Sequence, residues 1–378
     1  MTLKCLLIIC AICVKKGGVM GSTWGKNIKL SLFGESHGVG IGITIDGLPA
    51  GVELDLDFIK FEMQRRATGK NELTTARKEA DTFEILSGYF NGYTTGAPLS
   101  ILIRNRDQQS RDYSKIKDIA RPAHADYTGY KRYDGYNDYR GGGHFSGRLT
   151  APIVFAGAVA KQILMEKGIY IGTHIKSIKD IEDRDFSESD LSIEVFKKLA
   201  EKQLPFLDEN LEKLSREKIL CAKSQCDSLG GVIECSIIGM KPGVGNPFFN
   251  SIESQLAGLM YSIPAVKGVE FGAGFGITNL FGSEANDNIY IDGSKIKTKT
   301  NNNGGVLGGI TNGMPVNFKV AIKPTPSISK SQETINMKTN EETEFKIVGR
   351  HDPCIVPRAL VVVEAMAAIG ILDFLVVS

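Results

Sequence analysis

Residues 149–167 read LTAPIVFAGAVAKQILMEK, a run whose apolar side chains cover nearly the whole circumference of a helix. A helix without a broad polar face is predicted to be buried on most sides. A second apolar helix is predicted over residues 355–375, close to the end of the sequence. The sequence therefore predicts that helices fill part of the interior.

The segments around these helices are predicted to be mostly strands, because they are short, apolar, partly alternating and bounded by glycine. Residues 55–66 differ, since Asp55 or Asp57 suits the start of a helix and basic residues suit its end. Further helices are predicted at 188–219 and 249–261, and strands at 27–33, 39–46, 82–90, 99–103, 169–178, 231–240, 266–271, 315–322 and 345–348.

The composition of the 378 residues excludes several classes of protein. With 42% hydrophobic and 23% charged residues it is typical of a globular chain that can bury a core. The net charge of +2 gives no support to the binding of nucleic acid or of a membrane, so a cationic site must be local. The seven cysteines do not form the paired CxxC motifs of a zinc site, and we interpret them as reduced thiols of a cytoplasmic protein.

Residues 1–19, MTLKCLLIICAICVKKGGV, are similar to a short signal peptide. The apolar run is too short to span a bilayer, and two lysines and two glycines follow where a cleavage site is expected. We interpret Met20 as the functional start and residues 1–19 as an upstream translated leader, with an export signal as the alternative. Residues 20–378 are expected to form one catalytic domain.

Residues 104–147 carry six arginines and six tyrosines but almost no aliphatic residues. A long aperiodic segment within a compact protein is either disordered or a functional loop, and the tyrosines favour a loop. Imidazoles beside arginines suit proton transfer next to a phosphorylated ligand. Four of the five histidines lie in loops rich in glycine or proline: His37, His124, His144 and His351.

Other interpretations stay open on the residues alone. Each arginine taken alone is better explained as solvated loop charge. His124 with Asp126, or His351 with Asp352, offers metal ligands, although flanking arginines would repel a divalent cation. The stretch GESHGVGIG (34–42) has neither the spacing of a dinucleotide-binding loop nor that of a hydrolase nucleophile turn.

Several segments, taken together and in order, resemble the chorismate synthase family. The likeness extends over residues 22–373, and the set of segments is far more specific than any one of them. The segments are FGESHGVGIGITIDGLPAG (33–51), RPAHADYT (121–128), DYRGGGHFSGR (138–148), SIPAVKGVEFG (262–272), NGGVLGGITNG (303–313) and GRHDPCIVPRA (349–359).

This resemblance implies an α+β fold, a β-α-β sandwich with a core of long helices between sheets, assembled as a homotetramer. It implies a lyase that eliminates phosphate and the C6 hydrogen from 5-enolpyruvylshikimate 3-phosphate and forms chorismate. The family uses reduced FMN without net redox change, so an external flavin reductant is implied. A metal-dependent phosphohydrolase and a non-catalytic binder of phosphorylated metabolites are the alternatives from other classes.

The resemblance also implies catalytic residues, position by position. His37 is expected to protonate or polarise the reduced flavin, and His124 to act as an acid toward the departing phosphate. Ser36 and Asp352 are expected to relay a proton from the flavin. Flavin contacts are implied for His144, Phe145, Ser146, Pro264, Ala265, Gly308, Lys323, Pro324, Thr325, Pro326, Ser327 and Arg350.

Two positions depart from the family pattern. Glu72 stands where an arginine is usual, which puts anion binding near Arg66 in doubt; Arg66 and Arg148 are the residues expected to bind a phosphate of the substrate or of NADP. His144 replaces another arginine, and a neutral imidazole binds the flavin phosphate more weakly than a guanidinium. The sequence therefore predicts an FMN affinity that depends on pH.

Overall fold

The structure, a computed structural model, describes residues 21–67, 69, 73, 81–106, 117–347 and 352–376. The leader, Glu72 and Arg350 lie outside the described residues. The helices are Leu56–Arg66 (α1), Asp126–Arg132 (α2), Thr150–Glu166 (α3), Ile193–Glu201 (α4), Glu209–Ser224 (α5), Ile252–Ser262 (α6), Gly282–Ala285 (α7) and Val356–Leu375 (α8).

Each predicted strand overlaps an observed one, but eight of the strands among the described residues, most of them short, were not predicted. The strands are Thr23–Trp24 (β1), Lys29–Gly34 (β2), Gly40–Asp46 (β3), Phe83–Ser87 (β4), Tyr89–Phe90 (β5), Tyr93–Thr94 (β6), Leu99–Arg104 (β7), Tyr170–Ile178 (β8), Ile181–Glu182 (β9), Gly231–Ile238 (β10), Val266–Phe271 (β11), Ile289–Asp292 (β12), Lys295–Thr298 (β13), Val306–Leu307 (β14), Ile310–Thr311 (β15), Val316–Ile322 (β16), Ser331–Asn336 (β17) and Glu341–Lys346 (β18). The predicted helical segment 188–219 forms two helices, α4 and α5, separated by residues 202–208.

Two five-stranded sheets enclose the long helices. The first has the order β1-β2-β3-β7-β4, and the second has the order β11-β16-β10-β8-β9. All neighbouring strands in both sheets are antiparallel. Helix α3 contacts β3 and β7 of the first sheet, while α8 contacts β8 and β10 of the second. The predicted α+β fold and its β-α-β layers are confirmed.

The predicted burial of the two apolar helices is also confirmed. Every residue of α3 from Thr150 to Leu164 is buried, and so are nearly all of the residues of α8. By length and composition, Gly147–Glu166 is the one helix among the described residues that could cross a membrane, but 89% of that window lies inside the fold. Its hydrophobicity is accounted for by packing between the sheets.

A buried ionic network joins three layers of the sandwich. The carboxylate of Glu364 in α8 accepts hydrogen bonds from Arg65 (2.6 and 2.7 Å), Lys161 and Thr173 (2.5 Å). Burial raises the pKa of Glu364, but the charges of Arg65 and Lys161 outweigh it and hold the pKa at about 2. The network therefore stays ionised at neutral pH and aligns α1, α3 and β8 on α8.

Candidate active site

Three consecutive glycines form the floor of the candidate site. Gly141, Gly142 and Gly143 have φ of 60°, 90° and 54°, a left-handed conformation that glycine adopts without steric cost. A Cβ on Gly141 would lie 2.1 Å from Cε1 of His37, and a Cβ on Gly142 would lie 3.2 Å from Nε2 of His124. The missing side chains thus let two imidazoles from distant segments approach one stretch of backbone.

Ser36 and His37, which are neighbours in sequence, also interact through their side chains. Ser36 Oγ lies 3.2 Å from His37 Nδ1 and 3.2 Å from the carbonyl oxygen of Arg140. Because a carbonyl only accepts, the hydroxyl donates to Arg140 and accepts from His37. The backbone N–H of Ser36 donates to the carbonyl of Gly143 at 3.1 Å, so the serine ties the GESHG turn to the glycine floor.

His124 is held by two charged neighbours from its own segment. Its Nδ1 lies 2.8 Å from Oδ1 of Asp126 and 3.1 Å from Nη2 of Arg121. Arg121 also donates to both carboxylate oxygens of Asp126, each at 2.7 Å. Burial raises the pKa of Asp126, but the hydrogen bonds from Arg121 and His124 outweigh it and hold that pKa far below its usual value.

The two arginines predicted to bind phosphate lie in a buried cluster. Arg66 donates to Asp81 (2.7 Å), to the hydroxyl of Thr150 (3.0 Å) and to the carbonyl of Gly147 (3.0 Å). Arg148 forms an ion pair with the same carboxylate. Burial raises the pKa of Asp81, but the charges of both arginines outweigh it and lower that pKa. In this conformation both guanidinium groups have partners inside the protein.

Asp352 and the GESHG turn are both connected to this cluster. Asp352 pairs with Arg358, whose Nε donates to the carbonyl of Arg66 at 2.9 Å. On the other side, Arg148 lies 3.3 Å from Oδ1 of Asn105, whose amide donates to the carbonyls of Glu35 and Gly38, both at 3.0 Å. Asp352 is thus linked to the site through ion pairs and hydrogen bonds. Ser36, His37 and His124 are linked to one another through the glycine floor.

One of the predicted flavin residues, Lys323, contacts both the His124 loop and a second predicted residue, Ala265. Lys323 donates through Nζ to the carbonyl of Ala123 at 2.6 Å, and through its backbone N–H to the carbonyl of Ala265 at 2.9 Å. Burial and the charge of Lys267 lower the pKa of Lys323. Oγ1 of Thr325 is buried and lacks a hydrogen-bond partner among the described residues. In sequence, Pro264 directly precedes Ala265, and the segment from Pro324 to Ser327 directly follows Lys323.

Gly308 does not lie with the others. Its hairpin, β14–β15, comes just before β16 in the chain. Near the start of β16, the backbone N–H of Asn317 donates to the carbonyl of Gly304, just before the hairpin, at 3.2 Å. Lys323 follows the last residue of the same strand. A strand of this length spans about 20 Å. Within one chain, Gly308 is therefore remote from the Lys323 segment.

The triplet His144–Phe145–Ser146 is partly used in structural contacts. Nδ1 of His144 donates to the carbonyl of Gly34 at 2.7 Å, and Nε2 lies 2.9 Å from the hydroxyl of Ser22. The ring of Phe145 packs 6.1 Å from that of Tyr133. Ser146 accepts from the backbone N–H of Arg148 at 3.3 Å. The imidazole thus fastens the glycine floor to β2.

A cleft of about 550 Å³ opens beside His37. Arg104, Arg106 and Arg140 line this cleft. Arg104 forms an ion pair with Glu84, and Arg140 forms one with Asp138. The sequence motifs assigned no function to Arg104 or Arg106. One signal in the sequence could have indicated them. Buried and less buried positions alternate along β7, and the outward-facing positions continue to Arg104 and Arg106 in the RNR triplet at its end.

Comparisons with known proteins give the family. The chorismate synthase family model matches residues 28–376. The chain belongs to the chorismate synthase family. It is 47% identical to the chorismate synthase of Pyrococcus abyssi, 44% to that of Dehalococcoides mccartyi and 46% to that of Methanococcus maripaludis. These alignments cover 93%, 94% and 94% of this chain and 96%, 96% and 97% of the relatives.

A solved structure described as a crystal structure of chorismate synthase has the same fold. Its TM-score is 0.71 at 32% sequence identity, covering 93% of this chain and 92% of the other. Chorismate synthases are lyases that act on a phosphate-bearing substrate, so the predicted enzyme class is confirmed. The arginine-lined cleft beside His37 has the charge that such a substrate requires.

The glycine floor leads to a testable prediction. Gly142→Ala is expected to lower kcat at least tenfold, because the new methyl contacts the His124 ring and the residue must keep φ near 90°. Gly92 has φ of 93° and a new methyl there would meet no atom within 4 Å, so Gly92→Ala is the control for backbone strain alone. Steady-state turnover of both variants, with their melting temperatures, decides the matter. Equal losses in the two variants would contradict it.

Proposed function

We propose that this chain eliminates phosphate and the C6 hydrogen, in the anti-1,4 sense, from 5-enolpyruvylshikimate 3-phosphate to give chorismate. The observation that carries the proposal is the meeting of His37 and His124 on one glycine floor beside an arginine-lined cleft. A substrate with one phosphate and two carboxylates needs several guanidinium groups. Arg104, Arg106 and Arg140 are suitably placed to bind it.

The residues present fit a bound FMN. The buried hydroxyl of Thr325, which has no hydrogen-bond partner among the described residues, offers a hydrogen bond that a bound flavin would satisfy. His144, Phe145, Ser146, Pro264, Ala265 and the segment Lys323–Ser327 are the residues we assign to holding it. Reduced FMN supplies transient electron transfer to the substrate, which assists the loss of phosphate without net redox change. We infer an external reductant for the flavin, as the family resemblance implies.

The chain's own groups supply binding and proton transfer. His124 holds a proton at Nε2 and gives it to the phosphate as the bond to carbon breaks. The arginines stabilise the negative charge that develops on the leaving group. His37 holds its Nδ1 proton on Ser36, which fixes the direction of Nε2. The C6 hydrogen would be taken up at the bound flavin, and Ser36 and Asp352 are the residues we assign to accepting the proton that the flavin gives up for it, as the family resemblance implies. Arg66 and Arg148 keep the site's backbone in place; a phosphate ligand would have to replace their present partners.

We also propose a cytoplasmic homotetramer. Several large apolar side chains between residues 248 and 307, the stretch that ends next to Gly308, are exposed, among them Phe249 (94%) and Ile291 (78%). Exposed apolar side chains grouped in this way are typical of protein interfaces. A neighbouring subunit there would also allow Gly308 to contact a flavin held mainly by another chain.

The decisive experiment is an anaerobic assay of the purified protein with 5-enolpyruvylshikimate 3-phosphate and dithionite-reduced FMN. We expect equal amounts of phosphate and chorismate, no product with oxidised FMN, and no effect of a chelator. Phosphate release that stops on chelation and ignores FMN would support a metal-dependent phosphohydrolase instead. Substrate binding without turnover would support a non-catalytic binder.

His144 gives a separate prediction for FMN binding. Because an imidazole gains charge on protonation and an arginine does not, FMN affinity is expected to rise as pH falls toward 6. Fluorescence titration of FMN at pH 6, 7 and 8 measures it. His144→Arg should bind FMN more tightly and make the pH response shallower. A response that is flat in the unsubstituted protein would remove the idea.

A further inference from the structure

We propose that Asp126 is a positioning residue that sets the tautomer of His124 and thereby makes it an effective acid. This inference rests on the proposed function, because it presumes that His124 transfers the proton to the leaving phosphate. It concerns Asp126 itself, which touches His124 rather than the ligand cleft. The geometry of Arg121, His124 and Asp126 carries the argument.

The proton on His124 can be assigned from the acceptors around it. An ionised carboxylate only accepts hydrogen bonds, so the 2.8 Å contact between Oδ1 of Asp126 and Nδ1 of His124 requires a proton on Nδ1. Arg121 only donates, and its longer 3.1 Å contact with the same nitrogen arises because both groups bond to Oδ1. Asp126 thus selects the Nδ1–H form of the neutral ring.

This tautomer points the other nitrogen at the glycine floor. Cε1 and Nε2 of the ring lie close to the backbone of Gly142, since a Cβ there would be 3.1 and 3.2 Å from them, and 17% of the His124 side chain is exposed. When Nε2 takes up a second proton, the resulting imidazolium is stabilised by the carboxylate behind it, as in a carboxylate–histidine pair. The second proton is then on Nε2, on the side of the ring away from Asp126.

Arg121 determines how Asp126 is oriented, and this gives the inference a sharp test. Oδ2 of Asp126 accepts from both the backbone N–H (3.0 Å) and Nε (2.7 Å) of Arg121, whereas one of the two donors to Oδ1 is His124, which can change its tautomer. In Asp126→Asn the amide oxygen should take that position. The amide NH₂ then faces Nδ1 of His124 and donates to it. The ring is forced into the Nε2–H form, and the imidazolium loses its carboxylate.

The kinetic test compares single and double variants in the anaerobic assay. We expect Asp126→Asn to lower kcat by roughly 100-fold, within the range that general acid catalysis contributes, while KM for the substrate changes less than about threefold. Asp126→Glu keeps a carboxylate acceptor and should recover a substantial part of that loss. Asp134→Asn changes an exposed aspartate of the same segment, at a φ of 51° that asparagine tolerates, and is the matched control.

The double variant separates positioning from a general structural effect. If Asp126 acts through His124, the combination of His124→Ala with Asp126→Asn should be no slower than His124→Ala alone. Multiplying losses, or a full rate in Asp126→Asn beside a slow His124→Ala, would overturn the inference and leave the proposed function intact. A full rate in His124→Ala would instead remove the presumed function of His124, and the inference with it.

Nitrogen-15 NMR of protein labelled only at histidine reads the tautomer without any turnover. The His124 signals are identified by their loss in His124→Ala. At a pH high enough for the ring to be neutral, we expect a protonated Nδ1 and an unprotonated Nε2 in the unsubstituted protein, and the reverse in Asp126→Asn. An unchanged tautomer in that variant, or Nε2–H in the unsubstituted protein, would overturn the inference even if the enzyme assay gave no turnover.

Discussion

His124→Ala is expected to lower kcat by about 10²–10⁴-fold and to change the dissociation constant of the substrate by less than about threefold. The proposed function of His124 is proton donation as phosphate leaves, so its contribution arises in the transition state. The ground-state contacts of the substrate come from the arginines of the cleft, which the substitution leaves in place. Anaerobic turnover and equilibrium binding of the substrate, measured on the same preparation, give the two numbers.

The control for this experiment is Tyr136→Ala, which removes a side chain that is 92% exposed in the same segment. Its turnover and substrate binding should match those of the unsubstituted protein. If His124→Ala weakened substrate binding as much as it lowered kcat/KM, with kcat unchanged, His124 would be a binding residue and not an acid. Loss of both properties together with a lowered melting temperature would indicate damage to the segment that Arg121 and Asp126 hold.

The parts of the fold that bury one face were predictable from local pattern. β11 was predicted at 266–271 and is found at Val266–Phe271, and α1 begins after Asp55, whose carboxylate accepts from the N–H groups of Asp57 and Phe58. Both depend on interactions within a few residues. The hairpin β17–β18 was only partly predicted, because its strands SQETIN and EETEFK are mostly polar. A strand that packs few apolar side chains gives little periodic signal.

The residues of the site likewise divide into those that the sequence indicated and those that it did not. Histidines in glycine-rich loops can be recognised in the sequence, and the family resemblance implied functions for them. Asp81 gave no such signal, because its partners Arg66 and Arg148 come from segments far along the chain and meet only in the folded state. Asp126 was visible as the second half of an HxD pair, which on sequence alone also offered metal ligands despite the flanking arginines. Only the bidentate contact from Arg121 shows that its carboxylate serves the imidazole.

The packing of α3 against α8 leads to the largest expected effect on stability. A Cβ on Gly157 of α3 would lie 2.2 Å from Cβ and 2.3 Å from Cα of Ala365 in α8. Real side chains do not approach backbone so closely, so Gly157→Ala has to push the two central helices apart. Because a close-packed interior transmits such a shift, it would disturb both sheets and the ionic contacts of Glu364, the residue that precedes Ala365.

We expect Gly157→Ala to lower the free energy of unfolding by about 3 kcal/mol or more, the upper end of the cost of overpacking a core. The matched control is Gly258→Ala in α6, another helical glycine, where a new methyl meets no atom within 4 Å. Alanine there should raise helix stability by about 0.5–1 kcal/mol, since it removes the conformational freedom of glycine. Urea unfolding of both variants, followed by circular dichroism, gives the comparison. Equal stabilities would mean that α3 and α8 do not pack as closely as the structure places them.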